Sequence, residues 1–230
     1  MSSQLNKYIF IDADDTLWEN EQYFRDAEAE FAQAIAPHRP ADEIQKILWQ
    51  KQEDFIPWFG YGSKTYFMGM TAAATELLGS VDASTLGKIK DIIVHLSHHK
   101  VEVFEGVEPT LAELSAQFRL VLATKGETLE QISKIKASGL AKYFSGIEVM
   151  VEKDEEGYIE LGARYGVAPE ELVMVGNSVR SDVLPVIKLG GTAYHIPHEI
   201  AWTHELAELP ISERLICIDR FADLVCLLKH

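Results

Sequence analysis

Residues 8–18, YIFIDADDTLW, decide the fold that we predict for this chain. The apolar first part, residues 8–11, is typical of a buried strand, and three carboxylates and a hydroxyl follow within five residues. Asp12 and Asp14 are two residues apart, so their side chains lie on the same side of an extended or turning chain. Carboxylates arranged in this way can converge on one small, hard cation. The pattern indicates a catalytic centre at the end of a strand.

The composition limits the kinds of partner that the protein can bind. The chain has 230 residues, 47% of them hydrophobic, which is enough for one domain with a large insertion or for two modest domains. Acidic residues outnumber basic ones by 36 to 21, and the formal charge of −15 repels nucleic acid and anionic membranes. We therefore expect no nucleic acid and no membrane partner. A phosphorylated small molecule remains compatible, because a divalent cation and a few lysines can reverse the potential locally.

The cysteines and the first residues bear on location. Cys217 and Cys226 are the only cysteines, and we expect them to be packed free thiols in a reducing cytoplasm. Residues 1–7 lack the apolar segment of a signal peptide, and no apolar run approaches the roughly 20 residues of a membrane span. We expect a soluble, cytoplasmic protein. The sequence leaves the oligomeric state open, with a homodimer among the assemblies it allows.

After the first strand the apolar residues recur at helical spacing as far as residue 99. Proline and glycine residues separate four predicted amphipathic helices. The helices are Glu19–Ala36, Ala41–Phe59, Lys64–Leu78 and Ala83–His98. They predict a small helical bundle, residues 18–104, inserted into an α/β domain made of residues 1–17 and 105–230.

The rest of the chain alternates between short apolar strands and helices. This alternation predicts a parallel sheet with helices on both faces, and the first strand must belong to that sheet. The predicted later strands are Arg119–Ala123, Ile147–Val151, Leu172–Val175, Thr192–Ile196 and Arg214–Ile218. The predicted helices are Glu108–Gln117, Thr128–Ser138, Ile159–Tyr165, Val179–Leu189 and Phe221–Lys229.

Polar side chains follow four of these strands. They occupy residues 12–16, 124–127, 152–154 and 176–182. Ligands of open α/β sheets bind beyond the carboxyl ends of the strands, so these four segments are expected to face one crevice. A carboxylate nucleophile, a hydroxyl, an ammonium group and a second acidic cluster would then lie together.

This ordered set resembles the four motifs of the haloacid dehalogenase (HAD) superfamily over nearly the whole chain. The segment DADDT, residues 12–16, matches the first motif, D-x-D-x-T, and Thr124 matches the Ser/Thr of the second. Lys153 matches the lysine of the third, and GNSVRSD, residues 176–182, is similar to the acidic fourth motif. Four motifs in order are much more specific than any one of them. The resemblance implies a Rossmann-like core with an inserted helical cap of the C1 type.

The resemblance also implies an activity, that of a Mg²⁺-dependent phosphatase acting on a small phosphorylated metabolite. Asp12 would attack phosphorus to give an aspartyl-phosphate, and Asp14 would exchange protons with the leaving oxygen and the attacking water. Lys153 would keep Asp12 ionised and offset charge on the phosphoryl group. Thr124 and Lys125, together with Lys153, would bind the phosphoryl oxygens.

The metal ligands implied for Mg²⁺ are the Asp12 side chain, the Asp14 backbone carbonyl and the fourth motif, with Asn177 and Asp182. Many family members have Asp where this chain has Asn177, and an amide oxygen brings no charge. We therefore expect Asp182 to supply most of the negative charge there, directly or through water. Asp15 stands where many members have Gly, and we expect it to be exposed or to cap the turn.

Several alternatives stay open. A dehalogenase, a phosphonatase or a phosphomutase would use the same Asp nucleophile, although Asp14 favours phosphate chemistry. A non-catalytic HAD-like binding protein is a fourth alternative, motivated by Asn177 and the acidic surface. The aromatic-rich residues 55–67 could contact the leaving group of a substrate or form the core of the inserted bundle.

Overall fold

The structure, a computed structural model, describes residues 7–200, 205 and 207–228, and a six-stranded parallel sheet is at its centre. The strand order is β3-β2-β1-β4-β5-β6, and all neighbouring strands run parallel. The strands are β1 Tyr8–Ile11, β2 Arg119–Lys125, β3 Gly146–Met150, β4 Val173–Gly176, β5 Thr192–His195 and β6 Leu215–Cys217. The predicted α/β fold is confirmed.

The α-helices that the structure describes lie close to the predicted ones. They are α1 Glu21–Ile35, α2 Ala41–Phe59, α3 Ser63–Leu78, α4 Ala83–Ser97, α5 Val107–Ser115, α6 Thr128–Ala137, α7 Glu155–Tyr165, α8 Leu184–Lys188 and α9 Leu224–Leu227. Short 3₁₀ segments occupy Leu140–Tyr143, Pro169–Glu171 and Phe221–Asp223. Helix α2 ends at Phe59 and is capped by Gly60, whose φ of 71° is unfavourable for other residues.

Three of the predicted helices differ from the observed ones. The described part of Phe221–Lys229 is divided into the 3₁₀ segment Phe221–Asp223 and α9. The other two differ for local reasons. Helix α7 begins four residues earlier than predicted, because the Asp154 side chain accepts a hydrogen bond from Gly157 N and caps an acidic first turn. The predicted helix Val179–Leu189 is divided into a π-helical turn, Val179–Val183, and α8. π-turns often occur at functional sites, and this one contains Asp182.

The chain divides into two compact units. One comprises the described residues of Met1–Glu21, Val101–Lys125 and Gln131–His230, and the other comprises Gln22–Lys100 and Gly126–Glu130. The first unit contains the sheet, and α1 to α4 lie almost entirely in the second. None of the helices in the described part of the chain combines the length and apolar character that a membrane span needs.

The strands of the first unit are apolar on both faces. In β1, Ile9 and Ile11 belong to one buried cluster, whereas Phe10 belongs to a second cluster. Successive side chains of a strand point to opposite faces, so the sheet is covered on both sides. This explains why the strands read as continuous apolar runs rather than as alternating ones.

The second unit has its own apolar core, and a buried carboxylate lies beside it. The Glu28 side chain accepts hydrogen bonds from Tyr66 Oη and Trp49 Nε1, both at 2.8 Å, and from Gln45 Nε2 at 2.8 Å and Arg25 Nη1 at 3.1 Å. Four donors therefore compensate for the burial of its charge.

The aromatic residues 55–67 do not share one environment. Tyr66 is 7% exposed and packs in the core of the second unit, as the bundle-core alternative requires. Trp58 and Phe59, at the end of α2, are 81% and 60% exposed. The exposed pair is therefore available for contacts outside the core.

Neither cysteine forms a disulfide. Cys217 and Cys226 are free, as expected, but both are exposed. The expectation that they are packed was wrong, because both fall on outward positions of short terminal elements, β6 and α9.

The Glu28 network predicts a specific loss of stability. Glu28→Ala removes the acceptor shared by Tyr66 and Trp49, and we expect the free energy of unfolding to fall by about 2–4 kcal/mol in urea titrations. Glu30→Ala, an exposed site on the same helix, is the matched control and should change it by less than about 0.5 kcal/mol. Equal effects of the two substitutions would contradict the role given to the network.

Candidate active site

The polar residues after β1 lie in a tight turn that continues the strand. Asp12 N donates to Val175 O of β4 at 2.9 Å, so the sheet fixes the backbone of Asp12. Leu17 N and Thr16 N then donate to Ala13 O, and Asp15 adopts a positive φ of 60°. The turn directs Asp12 and Asp14 into two different sets of contacts.

Asp12 lies in a buried ion triad. The Lys153 ammonium donates to Asp12 Oδ1 and, at 2.7 Å, to Asp182 Oδ1. Lys153 is 4% exposed, Asp12 7% and Asp182 1%. The run Glu152–Glu156 looks solvated in the sequence, but its lysine reaches into the interior.

The triad carries two carboxylates against one ammonium. Burial raises the pKa of Asp12 to about 7, and the Asp182 carboxylate adds to the shift while Lys153 opposes it. Burial disfavours the charged form of Lys153, but Asp12 and Asp182 outweigh it and raise the lysine pKa. The carboxyl groups therefore favour the protonated form of Lys153. A further positive charge beside Asp12 would lower its pKa and favour its ionised form.

The segment after β4 supplies Asp182 to the triad and places Asn177 beside it. Thr16 Oγ1 lies 3.0 Å from Asp12 Oδ2 and 3.2 Å from Asn177 Oδ1, so both oxygens surround one hydroxyl. Asp182 Oδ2 accepts from Ser178 N at 3.0 Å. A side chain at Gly176 would place its Cβ 2.2 Å from Asp182 Oδ2, so only glycine permits this approach.

Asp14 contacts residues that the sequence reasoning missed. Trp18 Nε1 donates to Asp14 Oδ1 at 2.7 Å and Gln131 Nε2 to Oδ2 at 2.8 Å, while Lys134 Nζ contacts both oxygens at 2.8 and 2.7 Å. Burial opposes ionisation of Asp14, but Lys134 and these hydrogen bonds hold its pKa below the ordinary range. The sequence signal for Gln131 and Lys134 was only that two polar residues three apart share one face of α6.

Thr124 and Lys125 lie at the end of β2. Thr124 is 1% exposed, and its hydroxyl donates to Lys125 O at 3.3 Å. Lys125 Nζ donates to Ser181 Oγ at 2.8 Å and to Glu205 Oε1 at 2.6 Å. Burial opposes ionisation of Glu205, but Lys125 and two serine hydroxyls lower its pKa to about 2. Glu205 was not foreseen, because no motif marks it.

Of the two alternatives expected for Asp15, exposure or capping of the turn, the structure shows capping. Its side chain is 10% exposed, and Oδ1 accepts from Asn20 N and Glu21 N at 2.9 Å each. Asp15 thus caps the start of α1 and the turn that precedes it. Burial raises the pKa of Asp15 to about 7.

The donor set beside Asp12 fits a hard divalent cation. Asp12 Oδ2 and Asn177 Oδ1 compete for one hydroxyl proton, so one of them keeps a lone pair that Thr16 cannot serve. The triad that contains Asp12 has two carboxyl groups for one ammonium, and carboxylate and amide oxygens are the ligands that Mg²⁺ prefers. Both the charge balance and the ligand chemistry therefore suit such an ion.

Comparisons with known proteins agree with this geometry. The model of the haloacid dehalogenase-like hydrolase family matches residues 7–190. A solved haloacid dehalogenase-like family hydrolase from Xanthomonas campestris is 31% identical, with a TM-score of 0.88 over 100% of this chain and 93% of that one. A 2-haloacid dehalogenase from Pseudomonas syringae is 22% identical, with a TM-score of 0.66 over 97% and 98% of the two chains, and shares the fold.

Two curated relatives are phosphatases by name. Glyceraldehyde 3-phosphate phosphatase of Methanopyrus kandleri is 26% identical over 77% of this chain and 78% of its own length. N-acylneuraminate-9-phosphatase of Rattus norvegicus is 34% identical over 38% of this chain and 37% of its own. Since the family model spans most of the sequence, this chain is a hydrolase that belongs to the haloacid dehalogenase-like hydrolase family.

Proposed function

We propose that this hydrolase is a Mg²⁺-dependent phosphatase that cleaves phosphomonoesters of small metabolites through an aspartyl-phosphate. The observation that carries the proposal is the buried contact between Asp12 and Lys153. A second carboxylate, Asp14, follows Asp12 two residues later and pairs with Lys134. The phosphatase names of the relatives support the same reaction class.

Asp12 is the proposed nucleophile. Its carboxylate oxygen attacks phosphorus as the bond from phosphorus to the leaving oxygen breaks, and water later cleaves the aspartyl-phosphate to give free phosphate. Lys153 lies against Asp12 and balances charge on the transferring group, since phosphoryl transfer depends mainly on positioning and charge neutralisation.

Asp14 is the proposed acid and base. It must enter the first step protonated, and an approaching anionic phosphoryl group favours this by opposing the effect of Lys134 on the pKa of Asp14. It then gives this proton to the leaving oxygen and takes one from water in the second step. Thr124 and Lys125, at the end of β2, are proposed to bind phosphoryl oxygens. Lys125 pairs with Glu205 in the structure, so a bound phosphoryl group would compete with that carboxylate for the ammonium.

Mg²⁺ is proposed to be held by Asp12, the Asp14 carbonyl and the fourth motif. The Thr16 hydroxyl draws Asn177 close to Asp12, whereas Asp182 already bonds Lys153 and Ser178, so we assign the direct contact to Asn177. Asp182, which contacts Lys153, would then contribute negative charge near the ion without binding it directly. The ion would neutralise charge on the phosphoryl group and favour ionised Asp12.

We propose that residues 18–104 form a cap that selects the substrate, with Trp58 and Phe59 as candidate contacts to a flat leaving group. The predictions of a cytoplasmic location and a homodimer remain predictions.

The nucleophile can be tested by substitution. Asp12→Asn should lower p-nitrophenyl phosphate hydrolysis by about 10³-fold or more, because an amide does not attack phosphorus. Asp219→Asn, an exposed site, is the control and should keep full activity. Retained hydrolysis in Asp12→Asn would contradict the proposal, and release of halide from 2-haloacids by the wild type would favour a dehalogenase instead.

Metal dependence can be tested by removal. EDTA should abolish hydrolysis and added Mg²⁺ restore it, and Mg²⁺ should raise the melting temperature because it binds the folded state. Asn177→Ala should raise by about tenfold the Mg²⁺ concentrations that give half-maximal hydrolysis and half of the rise in melting temperature. Unchanged activity in EDTA would refute the metal, and an unchanged Mg²⁺ response in Asn177→Ala would refute the assigned ligand.

A further inference from the structure

Helix α6 presents two buried polar side chains to Asp14. Gln131 is 4% exposed and Lys134 is 6% exposed, and they lie one helical turn apart. Both contact the Asp14 carboxylate, which is more than 100 residues away in the sequence. Their burial is unusual, because lysine and glutamine on short helices are normally solvated.

The Lys134 ammonium is held in one orientation. It donates to Asp14 Oδ1, to Asp14 Oδ2 and, at 3.0 Å, to Asn20 Oδ1. These three oxygens are the acceptors around the ammonium among the described residues, and the two Asp14 oxygens lie on the same side of it. The contact with both oxygens fixes the plane of the Asp14 carboxylate.

The orientation of the Gln131 amide is also determined. Its nitrogen donates to Asp14 Oδ2 and to Lys125 O, both at 2.8 Å, and both are acceptors here, Asp14 in its ionised form. The amide oxygen is then buried without a hydrogen-bond partner among the residues that the structure describes. A buried acceptor without a partner destabilises the folded state. The orientation that lets Gln131 donate to Asp14 therefore leaves its own amide oxygen in an unfavourable environment.

We infer that Lys134 and Gln131 are positioning residues for the acid and base of the proposed reaction. They hold Asp14 in the orientation from which it exchanges a proton with the leaving oxygen. Asp14 accepts four donor contacts in the structure, so one must give way to that oxygen. Gln131 can release Asp14 and still donate to Lys125 O, whereas Lys134 continues to hold the carboxylate. This inference rests on the proposed phosphatase function.

The test measures how hydrolysis depends on the leaving group. A series of substituted phenyl phosphates differs in the basicity of the phenol, and kcat/KM is plotted logarithmically against the phenol pKa. Basic phenols need a proton from Asp14, whereas acidic phenols leave without one. Because Lys134→Met also removes a charge that lowers the pKa of Asp14, the pH-independent values of kcat/KM are compared. Their slope should steepen in Lys134→Met, with at least about tenfold more loss for the most basic phenol than for the most acidic one.

The same helix offers a matched control. Lys136 is exposed two residues further on, and Lys136→Met should leave the slope unchanged. Gln131→Met should steepen the slope less than Lys134→Met. If circular dichroism shows that Lys134→Met does not fold, the slope of Gln131→Met decides the question. Unchanged slopes in the folded variants, with or without a uniform loss of rate, would overturn the inference alone. No hydrolysis by the wild type would overturn the proposed function and the inference together.

Discussion

The contact on which the site depends is the Lys153 ammonium between Asp12 and Asp182. All three side chains are almost fully buried, so removal of the lysine would leave two carboxylates without compensation. The lysine comes from the loop after β3, Asp12 directly follows β1, and Asp182 lies in the π-helical turn after β4. One ion triad thus ties together three segments that are remote in the sequence. The triad also explains the glycine at 176, since Asp182 lies where a side chain would stand.

The parallel sheet is what makes this convergence possible. Every strand ends at the same edge, so residues that follow β1, β2, β3 and β4 gather there without long loops. The buried strands supply a rigid support, and Asp12 N is bonded directly into the ladder. The acidic turn then places its two carboxylates, Asp12 and Asp14, in different surroundings. Asp12 meets an ammonium shared with Asp182, and Asp14 meets donors from α6 and Trp18. Each carboxylate has its own lysine, and this difference in surroundings suits two different chemical roles.

The sequence was sufficient to predict the fold and to place the residues of the four motifs after strands, but it did not indicate the contacts between distant side chains. Apolar periodicity predicted α2 at its observed bounds, and the strand ends located Asp12, Thr124 and Lys153. Lys134 read as an ordinary polar residue of an amphipathic helix, because its partner Asp14 is 120 positions away. Asp15 was expected to be exposed or capping, and only its positive φ and the start of α1 explain why it turns inward. Glu205 belongs to no recognisable motif. Such pairings follow from packing, which a single sequence does not encode locally.

The central claim is that Asp12 carries the phosphoryl group during turnover. Rapid acid quenching during hydrolysis of p-nitrophenyl phosphate, followed by mass spectrometry of the peptide that contains residues 8–18, tests it most directly. The account predicts a phosphate adduct on Asp12 that disappears as substrate is exhausted. An adduct on any other residue, or steady hydrolysis with no adduct on this peptide at any quench time, would contradict it.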